Sequence, residues 1–229
     1  MLQGTLRLLE WAQIPLSVEE WKAKERERIH LFENSKLLPG VDKLLNNLST
    51  RTYPPIKLAL ASSAGRRLFA LKTGHIPIIA AAFSNPSFHV FGDDPEMADS
   101  KKKPEPDIFL LALDRLNHAI TANGERPVQP QECLVFEDSI AGVEAARRAK
   151  MRVVWVPHPG LRKVCIGHEM DVLMGRTEKN GQPPNFTEYV TQEADLAEAD
   201  PIVSEDAFAE MRVSLEDFPY ETYGIHLSE

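Results

Sequence analysis

At 229 residues, with 43% apolar and 26% charged side chains, the chain has the make-up of a soluble globular protein able to bury a sizeable core. A net charge of −8 argues against nucleic acid as the main partner, because phosphate backbones attract basic surfaces; it leaves small phosphorylated molecules open. Cys133 and Cys165 are too few for a disulfide framework, which fits a reducing, cytoplasmic compartment, and Cys133 reads as a buried core thiol.

In chain order, Met1 to Leu16 carries Arg7 and Glu10 within its apolar stretch, so it reads as neither a signal peptide nor a membrane span. No other stretch is long and apolar enough to predict a membrane partner. Leu6, Leu9 and Trp11 share a helical face, and Ser17-Val18-Glu19-Glu20 is a capping box opening a second helix that Trp21, Arg28 and Ile29 continue. Glu20 and Lys24 stand at ion-pair spacing on that helix. After Leu37-Leu38-Pro39-Gly40, Val41, Leu44, Leu45 and Leu48 give the periodicity of an amphipathic helix laid on a sheet.

From there strands and helices alternate. The pattern predicts strands over Ile56 to Ala61, Cys133 to Phe136 and Arg152 to Pro157, with an apolar piece from Phe88 to Phe91. Helices are predicted over Gly65 to Lys72, closed by Gly74, over Asp107 to Asn117 and over Ile140 to Lys150. Ile76 to Phe83 is apolar without a clear period. Alternation at these lengths implies a parallel sheet covered on both faces. Beyond Leu161 the pattern weakens: Gly175 to Asp200 reads as a polar surface excursion, and Met211 to Glu216 as a final edge strand or helix before an aromatic tail.

Three segments carry the chemistry. Ser62 and Ser63 follow a strand and precede a helix, where hydroxyls and helix-terminal amides can cradle a phosphate, or a serine can simply cap. Lys103 stands before Pro104-Glu105-Pro106-Asp107, where a fixed cation could neutralise a phosphoryl oxygen. Glu137 and Asp138 end an apolar run, as paired hard-oxygen ligands suited to Mg²⁺, although Asp138 or Ser139 also fits the cap of the next helix.

In this order and on these elements, Ser62-Ser63, Lys103-Pro104-Glu105-Pro106-Asp107-Ile108-Phe109 and Glu137-Asp138-Ser139 resemble the second, third and fourth motifs of the haloacid dehalogenase superfamily. The resemblance runs from about Leu38 to Pro159, and Gly92-Asp93-Asp94-Pro95-Glu96 is most similar to its pseudouridine-5′-phosphatase-like branch. It implies a three-layer, Rossmann-like α/β core with a truncated helical cap. Residues 1–36 would be the cap remnant, 37–161 the core, 162–210 a polar insertion, and 211–229 the end of the core and its tail. It also implies Mg²⁺-dependent hydrolysis of a small phosphomonoester, with a nucleotide-type 5′-phosphate among the candidates. Ser62 and Ser63 would bind phosphate, Lys103 would brace phosphate and nucleophile, and Asp138 with Glu137 would hold the metal.

The family's first motif, a strand ending in Asp-x-Asp-Gly-Thr, does not occur in these residues. Met1-Leu2-Gln3-Gly4-Thr5-Leu6 imitates only its end, with Met1 and Gln3 where the nucleophile and the acid/base belong. The missing strand would lie centrally, between those ending at Ala61 and Phe136. The expectation is therefore a chain with little or no turnover as written, or a non-catalytic phosphate- and metal-binding relative.

Overall fold

The computed structural model describes residues 14–177 and 200–228. The predicted helical face of Leu6, Leu9 and Trp11 lies outside those residues, as does most of the predicted excursion from Gly175 to Asp200.

Helix α1 (Val18–Glu27) starts at the capping box: Glu20 N donates to Ser17 Oγ, and Ser17 N donates back to Glu20 Oε2 at 2.8 Å. Glu20 is thereby committed to Ser17, and no ion pair to Lys24 forms among the described contacts. Ile29–Asn34 is a 3₁₀ segment rather than more α-helix. Helix α2 (Val41–Thr50) buries Leu44, Leu45 and Leu48, as its periodicity predicts. Its first residue follows Gly40 at φ +80°, where a Cβ would collide with the backbone of Leu215 and Glu216.

The strands and helices that follow are β1 (Leu60–Ser62), α3 (Arg66–Thr73), α4 (Pro77–Ala82), β2 (His89–Phe91) and α5 (Asp107–Ala122). Next come β3 (Leu134–Glu137), α6 (Ile140–Arg148), β4 (Arg152–Trp155), α7 (Pro159–Cys165), α8 (Glu169–Leu173), β5 (Ile202–Val203) and β6 (Ala209–Met211). The ambiguous apolar stretch from Ile76 is helix α4, with Pro77 in the first position, where its missing amide costs nothing. Strand β1 is shorter than its apolar run because its partner β2 offers only three residues to pair with.

These strands form two sheets. One is the parallel pair β1–β2; the other has the order β3–β4–β6–β5, parallel except for β5. Among the described residues no ladder joins β1 to β3. Both sheets nevertheless share the same two apolar layers. Ala59 and Ala61 of the first half pack with Val135, Val153 and Trp155 of the second, beneath α5, α6 and α8. On the opposite face Ile56 and Leu58 pack with Leu134, Phe136 and Val154, beneath α2 and the C-terminal segment. Helix, sheet and helix thus make the three layers of a Rossmann-like α/β fold.

Two spans differ from the sequence reading. The stretch 162–210, expected as a polar insertion, supplies Cys165, Val172 and Leu173 to the main core and both strands β5 and β6 to the sheet. Of the edge strand or helix expected from Met211 to Glu216, only Met211 lies in an element, strand β6, which is interior because β4 pairs with it on one side and β5 closes the other. The aromatic tail packs inward: Phe218 is buried, stacks on Tyr223 and meets Phe136 edge-on. Cys165 is fully buried and Cys133 half-buried, and burial pushes the thiols of both up to about 11.

Candidate active site

The carboxyl ends of both half-sheets point the same way. Lys102 Nζ reaches the Gly92 carbonyl just past β2 at 3.5 Å, while the adjacent Lys103 pairs with Glu137 at the end of β3. In a parallel α/β sheet this end is where ligands gather.

Lys103 and Glu137 make the closest ion pair of the site, with side chains only 11% and 7% exposed. The ammonium also lies 4.6 Å from the centre of the Phe109 ring, which holds it against helix α5. The second oxygen of Glu137 accepts from Ser139 N at 3.3 Å and Ser139 Oγ at 3.0 Å. Glycine at position 142 leaves room for the Glu137 carboxylate, which a Cβ there would displace. Ser139 also caps α6 by accepting from Gly142 N at 3.0 Å, so the cap belongs to Ser139 and leaves Asp138 free of that task.

Asp138 is exposed at the strand's end. Its carbonyl accepts from Trp155 Nε1 at 3.2 Å, which fixes the backbone while the carboxylate faces outward without a protein hydrogen bond among the described residues. Glu137 and Asp138 therefore differ in situation: one carboxylate is committed to Lys103 and Ser139, the other is available. Oxygen donors of this kind suit Mg²⁺, which keeps several waters and needs few protein ligands. No group of three or more acidic, histidine or cysteine side chains able to hold a metal occurs among the described residues.

Ser62 ends β1 half-buried, its Oγ accepting from Ala64 N at 3.2 Å, and Ser63 is exposed beside it. No hydrogen bond among the described residues links either serine to Lys103, Glu137 or Asp138. The amide of Arg66, at the start of α3, is also not open to a ligand: both oxygens of Asp93 accept from it, at 3.0 and 3.1 Å. On sequence alone Asp93 and Asp94 have no role beyond the family resemblance of their segment. The overlooked signal is Gly65, a glycine at a helix start with no side chain to cap it.

Asp94 is the other residue missed. Its side chain, 1% exposed, accepts from Phe91 N, Arg66 and Arg115, and Arg115 further bonds the His89 carbonyl and Glu96. Burial pushes the Asp94 carboxyl up, but the Phe91 amide and the two guanidinium groups outweigh it and hold the group below the usual carboxylate range. An open cavity of about 640 Å³ lies over this network, lined by Arg66, Asp94, Glu96, Asp114, Arg115 and His118. None of Ser62, Lys103, Glu137 or Asp138 lines it, and its arginines are engaged by Asp94 and Glu96.

Comparison with known proteins bears on the family and the fold. A family model described as haloacid dehalogenase-like hydrolase matches residues 2–150. A Saccharomyces cerevisiae protein named a probable pseudouridine-5′-phosphatase is 33% identical over 173 residues, 75% of this chain and 69% of its own length. A Drosophila melanogaster protein of the same name is 36% identical over 168 residues, 72% of this chain and 66% of its own. The chain thus spans about two thirds of the length of the curated relatives it matches. A solved haloacid dehalogenase-like protein of unknown function from Agrobacterium tumefaciens shares the fold, with a TM-score of 0.52 at 20% identity over 97% of this chain and 76% of that one.

Proposed function

Because this chain belongs to the haloacid dehalogenase-like hydrolases, we propose that its site serves phosphate-ester chemistry on a small phosphorylated metabolite. The observation that carries the reading is the nearly buried Lys103–Glu137 pair beside the open carboxylate of Asp138. A buried ammonium held by one carboxylate is a fixed positive charge, able to neutralise a phosphoryl oxygen without reorganising. Asp138, with Glu137 behind it, would hold Mg²⁺, which when bound would neutralise further phosphate charge. Ser62 would hydrogen-bond a phosphate oxygen from the other half-sheet, with Ser63 beside it. The yeast and fly relatives make a nucleotide-type 5′-monophosphate the favoured substrate class. The helical segment before Gly40 we read as part of a cap over the site.

Hydrolysis in this family needs an aspartate nucleophile and a second aspartate as acid and base, and these 229 residues contain no Asp-x-Asp-Gly-Thr strand. We therefore propose binding of Mg²⁺ and phosphate with little or no turnover by this chain. Calorimetry with Mg²⁺ and inorganic phosphate should show binding that Lys103→Ala and Ser62→Ala each abolish. With p-nitrophenyl phosphate and Mg²⁺ the rate should stay at the blank. Turnover that disappears on Lys103→Ala would overturn the claim of inactivity, and absence of phosphate binding would overturn the site.

A further inference from the structure

We infer that Asp93 is a positioning residue for the phosphate end of the site, holding the Ser62–Ser63 turn in place by capping helix α3 from the neighbouring strand's loop. The inference rests on the reading of Ser62 as a phosphate ligand and adds to it the residue that sets Ser62's surroundings.

Helix α3 begins badly by its own sequence. Gly65 offers no capping side chain, the first turn contains no acid, and Arg66 and Arg67 put positive charge at the positive end of the helix dipole. Asp93, 27 residues away, supplies what is missing: a negative charge and two acceptor oxygens on the Arg66 amide. The fit depends on glycine at 65, since a Cβ there would stand 2.6 Å from Asp93 Oδ2.

The same loop lies directly on the serine turn. Gly92 N donates to the Ala64 carbonyl at 3.1 Å, and a Cβ at Gly92 would collide with the Ser63 carbonyl oxygen. Asp94 pins the loop from behind through Phe91 N, Arg66 and Arg115. The backbone from Ser63 to Arg66 is therefore gripped at both ends, by Gly92 at Ser63–Ala64 and by Asp93 at Arg66. That span supplies the Ala64 amide that donates to Ser62 Oγ, so the grip decides where the hydroxyl sits. A phosphate bound here would meet the serines, because the α3 amide is already taken by Asp93.

The test uses the full chain with Mg²⁺ and inorganic phosphate, comparing wild type, Asp93→Ala, Asp93→Asn and Ser62→Ala by calorimetry and by hydrogen exchange of the Ala64 and Arg66 amides. Asp93→Ala should weaken phosphate about fivefold or more and speed exchange at Arg66 about tenfold. Asp93→Asn keeps an acceptor oxygen and should restore both to within about twofold. Ser62→Ala should remove phosphate binding while leaving exchange at Arg66 unchanged. If Asp93→Ala speeds exchange yet binds phosphate like wild type, Asp93 is a cap alone and the inference falls while the phosphate site stands. An Asp93→Asn variant that behaves like Asp93→Ala also overturns it. If wild type binds no phosphate, or Ser62→Ala binds it equally, the phosphate reading itself falls and takes the inference with it.

Discussion

The two half-sheets are held together by different physics. In the four-stranded half, Val153, Val154, Trp155, Ala209 and Met211 are almost wholly buried, and apolar burial holds the strands. In the two-stranded half, β1 is only half-buried throughout and α3 has no fully buried residue. Burial there rests on Val90 and Phe91 of β2, and polar fastening is added to it: Asp93 on α3, and Asp94 on Arg66 and Arg115. A parallel strand is designed for neighbours on both sides and cover on both faces. Where β4 has both, its side chains suffice; where β1 has one neighbour among the described strands, charge and capping add to the burial of β2.

The largest test of this contrast is Trp155→Ala. It empties the centre of the larger half and releases the Asp138 carbonyl, and should cost about 3–5 kcal/mol in denaturant unfolding. A loss below about 1 kcal/mol would show that the larger half is not held by burial. Next comes Asp94→Ala, which takes the buried carboxylate from Arg66, Arg115 and the Phe91 amide and should cost about 2–3 kcal/mol, although Arg115 keeps Glu96 and the His89 carbonyl. Its effect should be local: amides of β1 and β2 should exchange faster, while those of β3 and β4 keep their protection. Equal acceleration in both halves would erase the distinction.

Gly142→Ala probes the seam between the halves. The added methyl must displace the Glu137 carboxylate, for about 1–2 kcal/mol, and should release Lys103, visible as weaker phosphate binding. Unchanged phosphate affinity would separate Lys103 from the position of Glu137.

The smallest effect is acid sensitivity. Asp94 is held below its ordinary range for the reasons given above, and Asp206 is held lower still, chiefly by its hydrogen bond to Arg147 and against a smaller push from burial. A depressed folded pKa means the contribution is present above the unfolded value of about 3.9 and is lost as pH falls through the folded one. Stability should therefore decline below about pH 4. Asp206→Asn should flatten that decline only slightly, because the pair is partly solvent-screened. A decline that begins near neutral pH would point to other groups.

Much of this was legible from local patterns. Leu44, Leu45 and Leu48 announce their helix because a 3.6-residue period is written in the chain itself, and Ser17 with Glu20 announces its start. The strand–helix alternation and the polar residues at strand ends place Ser62, Lys103, Glu137 and Asp138 at one end of the sheet. The apolar residues of 202–211 are split by Ser204, Glu205 and Asp206 into pieces too short to announce a sheet, yet β6 is interior, because pairing with β4 decides it.

The sequence by itself determined the α/β class, most elements up to Pro157 and the identity of the charged groups, since these rest on periodicity and residue chemistry within a few positions. Only the tertiary structure decided which carboxylate serves which partner. Glu137 turns to Lys103 34 residues away, Asp93 to an amide 27 residues away, and Asp138 is left facing outward. Those pairings depend on where separate loops meet in space, and no local pattern in the chain encodes that meeting.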